Sequence, residues 1–155
     1  GGVRIGTAEI YRQVEKIDDV IESLVIGQNW KNDTRLILFV VLRENIQLSG
    51  ELIKIIKDQL RTGASPRHVP SIIIQTPEIP KTKSGKIVEL AVRDLVNGKE
   101  IKNASALANP ECLDFYRNLK NSINKKINLS INDKVERIFH EYKSILNEIL
   151  GHIQK

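Results

Sequence analysis

Pro80-Lys81-Thr82-Lys83-Ser84-Gly85-Lys86 places three lysines, two hydroxyls and one glycine within seven residues. Ammonium groups and hydroxyls bind anions, and a glycine lets backbone amides approach a ligand closely. From Arg61 to Lys86 the charge is one-sided: Arg61, Arg67, Lys81, Lys83 and Lys86 stand against Glu78 alone. Ser84 is expected to cap the helix that follows, with Lys86 projecting from its first turn. A helix start favours anions, so a phosphate or carboxylate can be held by amides and an ammonium together. The loop lacks the first glycine of a Walker phosphate loop at the required spacing. Surface lysines commonly serve solubility alone. The residues by themselves indicate anion handling and name no reaction.

The flanking segments supply rigid supports. Ile72-Ile73-Ile74 upstream is β-branched and reads as a strand, and Ile87 to Val96 carries apolar residues at helical spacing before an Asn97-Gly98 stop. Nearer the start, Ile5 ends a strand and Thr7 is expected to cap a short helix, with Glu9 in its first turn and Ile10, Val14 and Ile17 on one face. Val20 to Gly27 reads as a strand, Gln28 to Thr34 as a polar turn holding the single tryptophan, Trp30, and Leu36 to Leu42 as a buried strand. Ser49 caps an amphipathic helix whose expected buried residues are Leu52, Ile53, Ile55, Ile56 and Leu60, closed by Arg61-Thr62-Gly63. The turn Ser65 to Pro70 then leads into the strand Ser71 to Gln75. This order predicts an α+β fold, a small sheet with packed helices, complete by about residue 98.

Beyond residue 98 a polar segment, 99–119, ends in a short helical stretch from Glu111 to Leu119. Asparagines and lysines crowd 120–132, which reads as a linker. Asp133 is expected to cap a last helix over 133–155, where Val135, Ile138, Tyr142, Ile145, Ile149 and Ile153 form a stripe. That stripe is expected to dock on its own domain; a partner helix or second copy is the alternative.

Composition narrows the function. A hydrophobic share of 41% suffices for a core, and a net charge of +5 suits an anionic small molecule without arguing for nucleic acid. The single cysteine, Cys112, excludes an internal disulfide framework and a cysteine-based zinc site, and is expected to be an unpaired thiol in a reducing compartment. No apolar run approaches the roughly 20 residues that span a bilayer, so no membrane partner is expected. The chain opens Gly1-Gly2-Val3-Arg4 without a secretory pattern and contains no methionine, which favours a piece of a longer, cytoplasmic protein.

Pro80 to Lys86 resembles the closing motif of the adenylate-forming superfamily, which includes acyl-CoA synthetases, peptide synthetase adenylation domains and luciferases. Gly1-Gly2-Val3-Arg4-Ile5-Gly6-Thr7-Ala8-Glu9-Ile10 is similar to the motif that follows the interdomain hinge in that superfamily. Ser65 to Pro70, Val88 to Val92 and Ala106 to Glu111 resemble the acetoacetate–CoA ligase branch, which carries an extension after the motif lysine. The resemblance covers about residues 1–119 and implies the small C-terminal lid domain, without the large N-terminal adenylation domain that is its partner.

The resemblance implies an AMP-forming acid–thiol ligase that uses ATP and CoA to activate acetoacetate or a similar small carboxylate. It makes Lys86 the catalytic cation of the adenylation half-reaction. It makes Gly2 a close-approach residue along the pantetheine tunnel, Arg4 a phosphate or large-domain contact, and Arg61 a contact of the CoA 3′-phosphate. Each has a plainer reading: Gly2 in a turn, Arg4 in a surface ion pair, and Arg61 complementing a helix C-terminus. His68, between prolines, reads as structural and Glu9 as a helix-start residue. No His, Asp or Glu cluster has metal-ligand spacing, so no metal site is expected and Mg²⁺ would arrive with ATP on the large domain. The isolated piece is expected to be inactive. Two alternatives stay open: the lid of another acyl-CoA synthetase, and a non-catalytic interaction module or split-gene remnant.

Overall fold

The computed structural model describes residues 6–153, with backbone alone at 30, 120–121, 123–131 and 153. It divides into two units, the first reaching to Arg117 and the second beginning at Asn118. The first unit opens with α1 (Thr7–Val14), followed by β1 (Val20–Trp30), β2 (Asp33–Leu42), α2 (Gly50–Gly63), β3 (Ile72–Gln75) and α3 (Glu89–Val96). The helix α4 (Leu113–Ile153) starts in the first unit and supplies the second. This is the expected α+β architecture with a helical extension. The expected strand at Ile5 lies outside the described residues, as do Gly2 and Arg4.

The sheet has the order β1-β2-β3, antiparallel between β1 and β2 and parallel between β2 and β3. The continuous apolar run Leu36 to Leu42 forms most of β2, the central strand, whose Ile37, Leu38, Phe39 and Val40 are buried throughout. Alternation sends these side chains to opposite faces. On one face Leu38, Val40, Val25 and Ile73 pack with Ile10 and Val14 of α1 and Leu52, Ile56 and Leu60 of α2. On the other, Phe39 meets the ring of Tyr116 edge to face at 5.1 Å. There α3, with Val92, Leu95 and Val96 buried, lies against β1.

Local chemistry explains the agreements. The Ser49 hydroxyl accepts the Leu52 N–H at 3.1 Å and starts α2. At the end of α3, Gly98 takes a positive φ of 85°. Its N–H donates to Leu95 (3.1 Å) and that of Lys99 to Asp94 (2.8 Å), which satisfies the last carbonyls of the helix. Where α1 meets α2, Gly63 leaves room for the buried Gln13 amide, which donates to the Gly63 carbonyl at 3.1 Å and accepts from Gln59 at 2.8 Å. A Cβ on Gly63 would stand 2.1 Å from the Gln13 oxygen.

Several local expectations are corrected. The N-cap of α1 is Gly6, and Thr7 is its first helical residue. The polar turn expected over Gln28 to Thr34 shrinks to Lys31 and Asn32, whose φ of 46° and 63° build a tight hairpin that matches strand twist. Ile55 of α2 is exposed rather than buried. Residues 120–132 belong to α4 rather than to a linker, and Asp133 lies inside that helix. From Glu111 to Leu150 there is neither proline nor glycine. Asparagine costs a helix less than about 0.7 kcal/mol per residue, too little to break it without them.

In the second unit, the stripe Val135, Ile138, Tyr142, Ile145 and Ile149 lies on one helix face as expected, but it is exposed, Ile138 at 67%. Among the described residues no helix is long and apolar enough to cross a membrane.

Candidate active-site hairpin

The basic loop is a β-hairpin, not a helix start. Lys81 and Ile87 pair as an antiparallel bridge, and the Val88 N–H donates to the Pro80 carbonyl at 3.0 Å. Inside that pairing the Thr82 N–H donates to Lys86 O (2.8 Å) and the Gly85 N–H to Thr82 O (2.9 Å). Gly85, with φ of 88°, turns the chain back at a position that L side chains rarely occupy. Thr82 Oγ1 accepts the Lys86 N–H at 3.1 Å and lies 2.9 Å from Ser84 Oγ. Ser84 therefore organises the turn and does not cap a helix. α3 begins at Glu89, so Lys86 precedes it rather than projecting from its first turn. Ile87 and Val88, expected in the helix, form the returning strand and its junction.

The structure separates the three lysines of the motif. Lys81 Nζ is tied to the Glu22 carboxylate, and both side chains are about two-thirds buried. Glu22 follows a bulge in β1, where register shifts between Val20 and Glu22 and the strand bends. Lys83 and Lys86 are exposed. Among the described residues no carboxylate forms an ion pair with either. Lys81 is thus a structural strut, and ammonium groups available to an anion stand at Lys83 and Lys86.

Support for the hairpin comes from three places. On the outer edge of the sheet the Tyr11 hydroxyl accepts the Val25 N–H (3.0 Å) and donates to Glu89, joining α1, β1 and the first turn of α3. Burial first, then the Glu89 carboxylate, pushes this phenol well above its ordinary pKa. Below the hairpin, the Tyr116 hydroxyl donates to Glu78 O at 2.7 Å and the buried Thr76 donates to the same carbonyl at 3.0 Å. Alongside it, Leu107 bridges Thr82 and the Ala108 N–H donates to Lys81 O at 2.9 Å. Glu22, Tyr11 and Tyr116 carry no chemical signature in the sequence, because their partners lie far along the chain.

Arg61 is not brought to Lys86. It sits in the last turn of α2, exposed and paired with Asp58 at 2.8 Å, on the sheet face opposite α3. An exposed pair of this kind is worth well under about 1 kcal/mol, so the guanidinium can exchange Asp58 for another anion. His68 Nδ1 lies 2.7 Å from the Ser65 hydroxyl within a 3₁₀ turn, Pro66–His68. Glu9 accepts from Gln13 and Arg12. The Gln13 amide is the main cause of its lowered pKa, with Arg12 adding to it.

The family model described as the AMP-binding enzyme C-terminal domain matches residues 10–86, ending on Lys86 itself. The chain belongs to that family. Among curated relatives, it is 59% identical over 120 residues to an acetoacetyl-coenzyme A synthetase of Rhizobium meliloti, covering 77% of this chain. It is 46% identical over 119 residues to the acetoacetyl-CoA synthetase of Xenopus tropicalis, covering 76%. The solved acetoacetyl-CoA synthetase of Streptomyces lividans superposes on 77% of the chain with a TM-score of 0.71 and 37% identity. The matched part makes up only 18% of each of these proteins. Relatives of the AMP-binding enzyme C-terminal domain family therefore carry a much larger part besides it.

Proposed function

We propose that this chain is the lid of an AMP-forming ligase that converts acetoacetate to its CoA thioester. The observation that carries this reading is Lys86, the last residue of the matched family segment, which has no ion pair among the described residues and stands in a hydrogen-bonded hairpin whose Lys81 is tied down. In the first half-reaction a carboxylate oxygen of acetoacetate attacks the α-phosphorus of ATP, and the bond to pyrophosphate breaks. Negative charge grows on the phosphoryl oxygens, where Lys86 stabilises it once the lid closes. In the second half-reaction the CoA sulfur attacks the acyl carbonyl and AMP leaves. Arg61, on the other face of the sheet, then meets the 3′-phosphate of CoA, while Gly2 borders the pantetheine and Arg4 meets phosphate or the large domain.

The division is a lid core over 1–98 and a family-type extension over 99–119. A large N-terminal domain supplies the ATP, Mg²⁺ and acetoacetate sites, so the lid alone does not complete the reaction. The setting is the cytoplasm. The names of the relatives support the acetoacetate assignment, and the placement of Arg61 on α2, apart from the hairpin that carries Lys86, supports two lid orientations.

The test is Lys86→Ala in the complete enzyme, with Lys83→Ala beside it. Acyl-adenylate formation should fall about 100- to 1,000-fold for Lys86→Ala, the range for losing one preorganised donor at a developing anion. Thioester formation from supplied acetoacetyl-adenylate should persist, and Lys83→Ala should change neither step much. Equal loss of both half-reactions, or an equal effect of Lys83, overturns the reading.

A further inference from the structure

We propose that Asn109 is a positioning residue for Lys86, holding the catalytic hairpin through the two backbone groups on either side of Pro80. This rests on the adenylation role given to Lys86. Asn109 is 8% exposed, and both polar atoms of its side chain are engaged by backbone groups. Its Nδ2 donates to Ile79 O at 2.9 Å, and its Oδ1 accepts the Lys81 N–H at 2.9 Å. The amide orientation is fixed by its partners, because a carbonyl only accepts and an N–H only donates.

Proline explains why such a clamp is needed. Pro80 has no N–H, so the strand entering the hairpin cannot form an unbroken ladder there. The Asn109 side chain spans that gap as a short piece of substitute strand. Immediately beside it, the Ala108 N–H holds Lys81 O and Leu107 bridges Thr82. Lys81 is therefore fixed through its own N–H, its own carbonyl and its side chain to Glu22. The same residue pairs with Ile87, directly after Lys86. A change at Asn109 reaches Lys86 through this one short relay. The extension at 104–112 thereby becomes a brace for the hairpin, because its two 3₁₀ turns, Ala104–Ala106 and Pro110–Cys112, present residues 107–109 to it.

The test is a double-mutant cycle of Asn109→Ala and Lys86→Ala in the complete enzyme, reading both half-reactions. Asn109→Ala should lower the rate constant for acetoacetyl-adenylate formation about 10- to 100-fold, as small misplacements of a catalytic group do. The KM for ATP and thioester formation from supplied adenylate should stay within about twofold. With Lys86 already replaced, Asn109→Ala should cost adenylation nothing further, since the two act as one unit. A full additional loss in that background, or equal loss of both half-reactions, overturns the positioning role while leaving Lys86 as assigned. If Lys86→Ala alone spares adenylation, it is the reading of Lys86 that fails. Should Asn109→Ala not fold, Asn109→Asp, which keeps the acceptor for the Lys81 N–H, enters the same cycle under the same criteria.

Discussion

Replacing Gly85 with alanine isolates the backbone contribution of the turn that carries Lys86. Gly85 has φ of 88°, and a Cβ built there meets nothing within 4 Å. No steric clash therefore contributes, and the whole effect is the conformational penalty of an L residue at positive φ. That penalty is about 1–2 kcal/mol. Alanine also has fewer unfolded conformations than glycine, which returns about 0.4–1 kcal/mol. The net is a loss of roughly 0–1.6 kcal/mol, centred near 0.8, or on the order of 2–3 °C in Tm for a chain of this size. Thermal denaturation of the 155-residue chain, followed by circular dichroism, measures it directly. Three variants sharpen the test: Gly85→Asn should lose least, Gly85→Ala more, and Gly85→Val most, following their tolerance of the left-handed region. A Tm raised by Gly85→Ala, or the three variants falling together, would refute the reasoning, because a Cβ there meets nothing within 4 Å and backbone conformation is the leading difference among them.

Two further outcomes are expected. In the complete enzyme, Arg61→Ala should raise the KM for CoA several-fold and that for dephospho-CoA hardly at all; a parallel rise for both removes the 3′-phosphate contact. At alkaline pH the first unit should lose stability. Burial, with Glu78 and Glu111 adding to it, raises the Cys112 thiol from its ordinary 9.0 to about 11, so the folded state holds a proton that the unfolded chain releases. The stabilisation is complete below about pH 9 and disappears as pH climbs through about 11. The partly buried Tyr11 and buried Tyr116 phenols, also raised, act in the same direction. Urea midpoints measured from pH 8 to 11 should fall, and Cys112→Ala should flatten part of that fall. A midpoint rising over this range contradicts the sign.

Local periodicity made most of the fold legible. The uninterrupted apolar run of β2 announced a strand covered on both faces, and Ser49 and Asn97-Gly98 marked helix ends through chemistry contained within a few residues. Errors arose where two signals competed. At Lys31-Asn32 the polar residues read as a long turn, yet two adjacent positive φ values let the strands continue almost to the tip. After Gly85, helical spacing extended the expected helix back to Ile87, but pairing of Ile87 with Lys81 claimed that residue for the hairpin. At 120–132 polar composition suggested a linker, and the absence of breakers let the helix run through. Lys86 was legible as a cation beside a glycine. What ties down Lys81 was not, because Glu22 and Asn109 lie 59 and 28 residues away from it in sequence.

The internal bonding of the hairpin has a consequence for the entropy of the lid closure proposed above. Between Pro80 and Val88 cross-strand groups bond to one another and to the 107–109 segment without a substrate to organise them. The backbone freedom of this loop was lost once, on folding. Only the rotors of the Lys86 side chain remain to be frozen, a term near 2 kcal/mol for a lysine. On the reading proposed above, closure then behaves as the movement of a finished body carrying one mobile tip. Its temperature dependence would belong to the hinge and to the departing pyrophosphate rather than to any ordering of the loop.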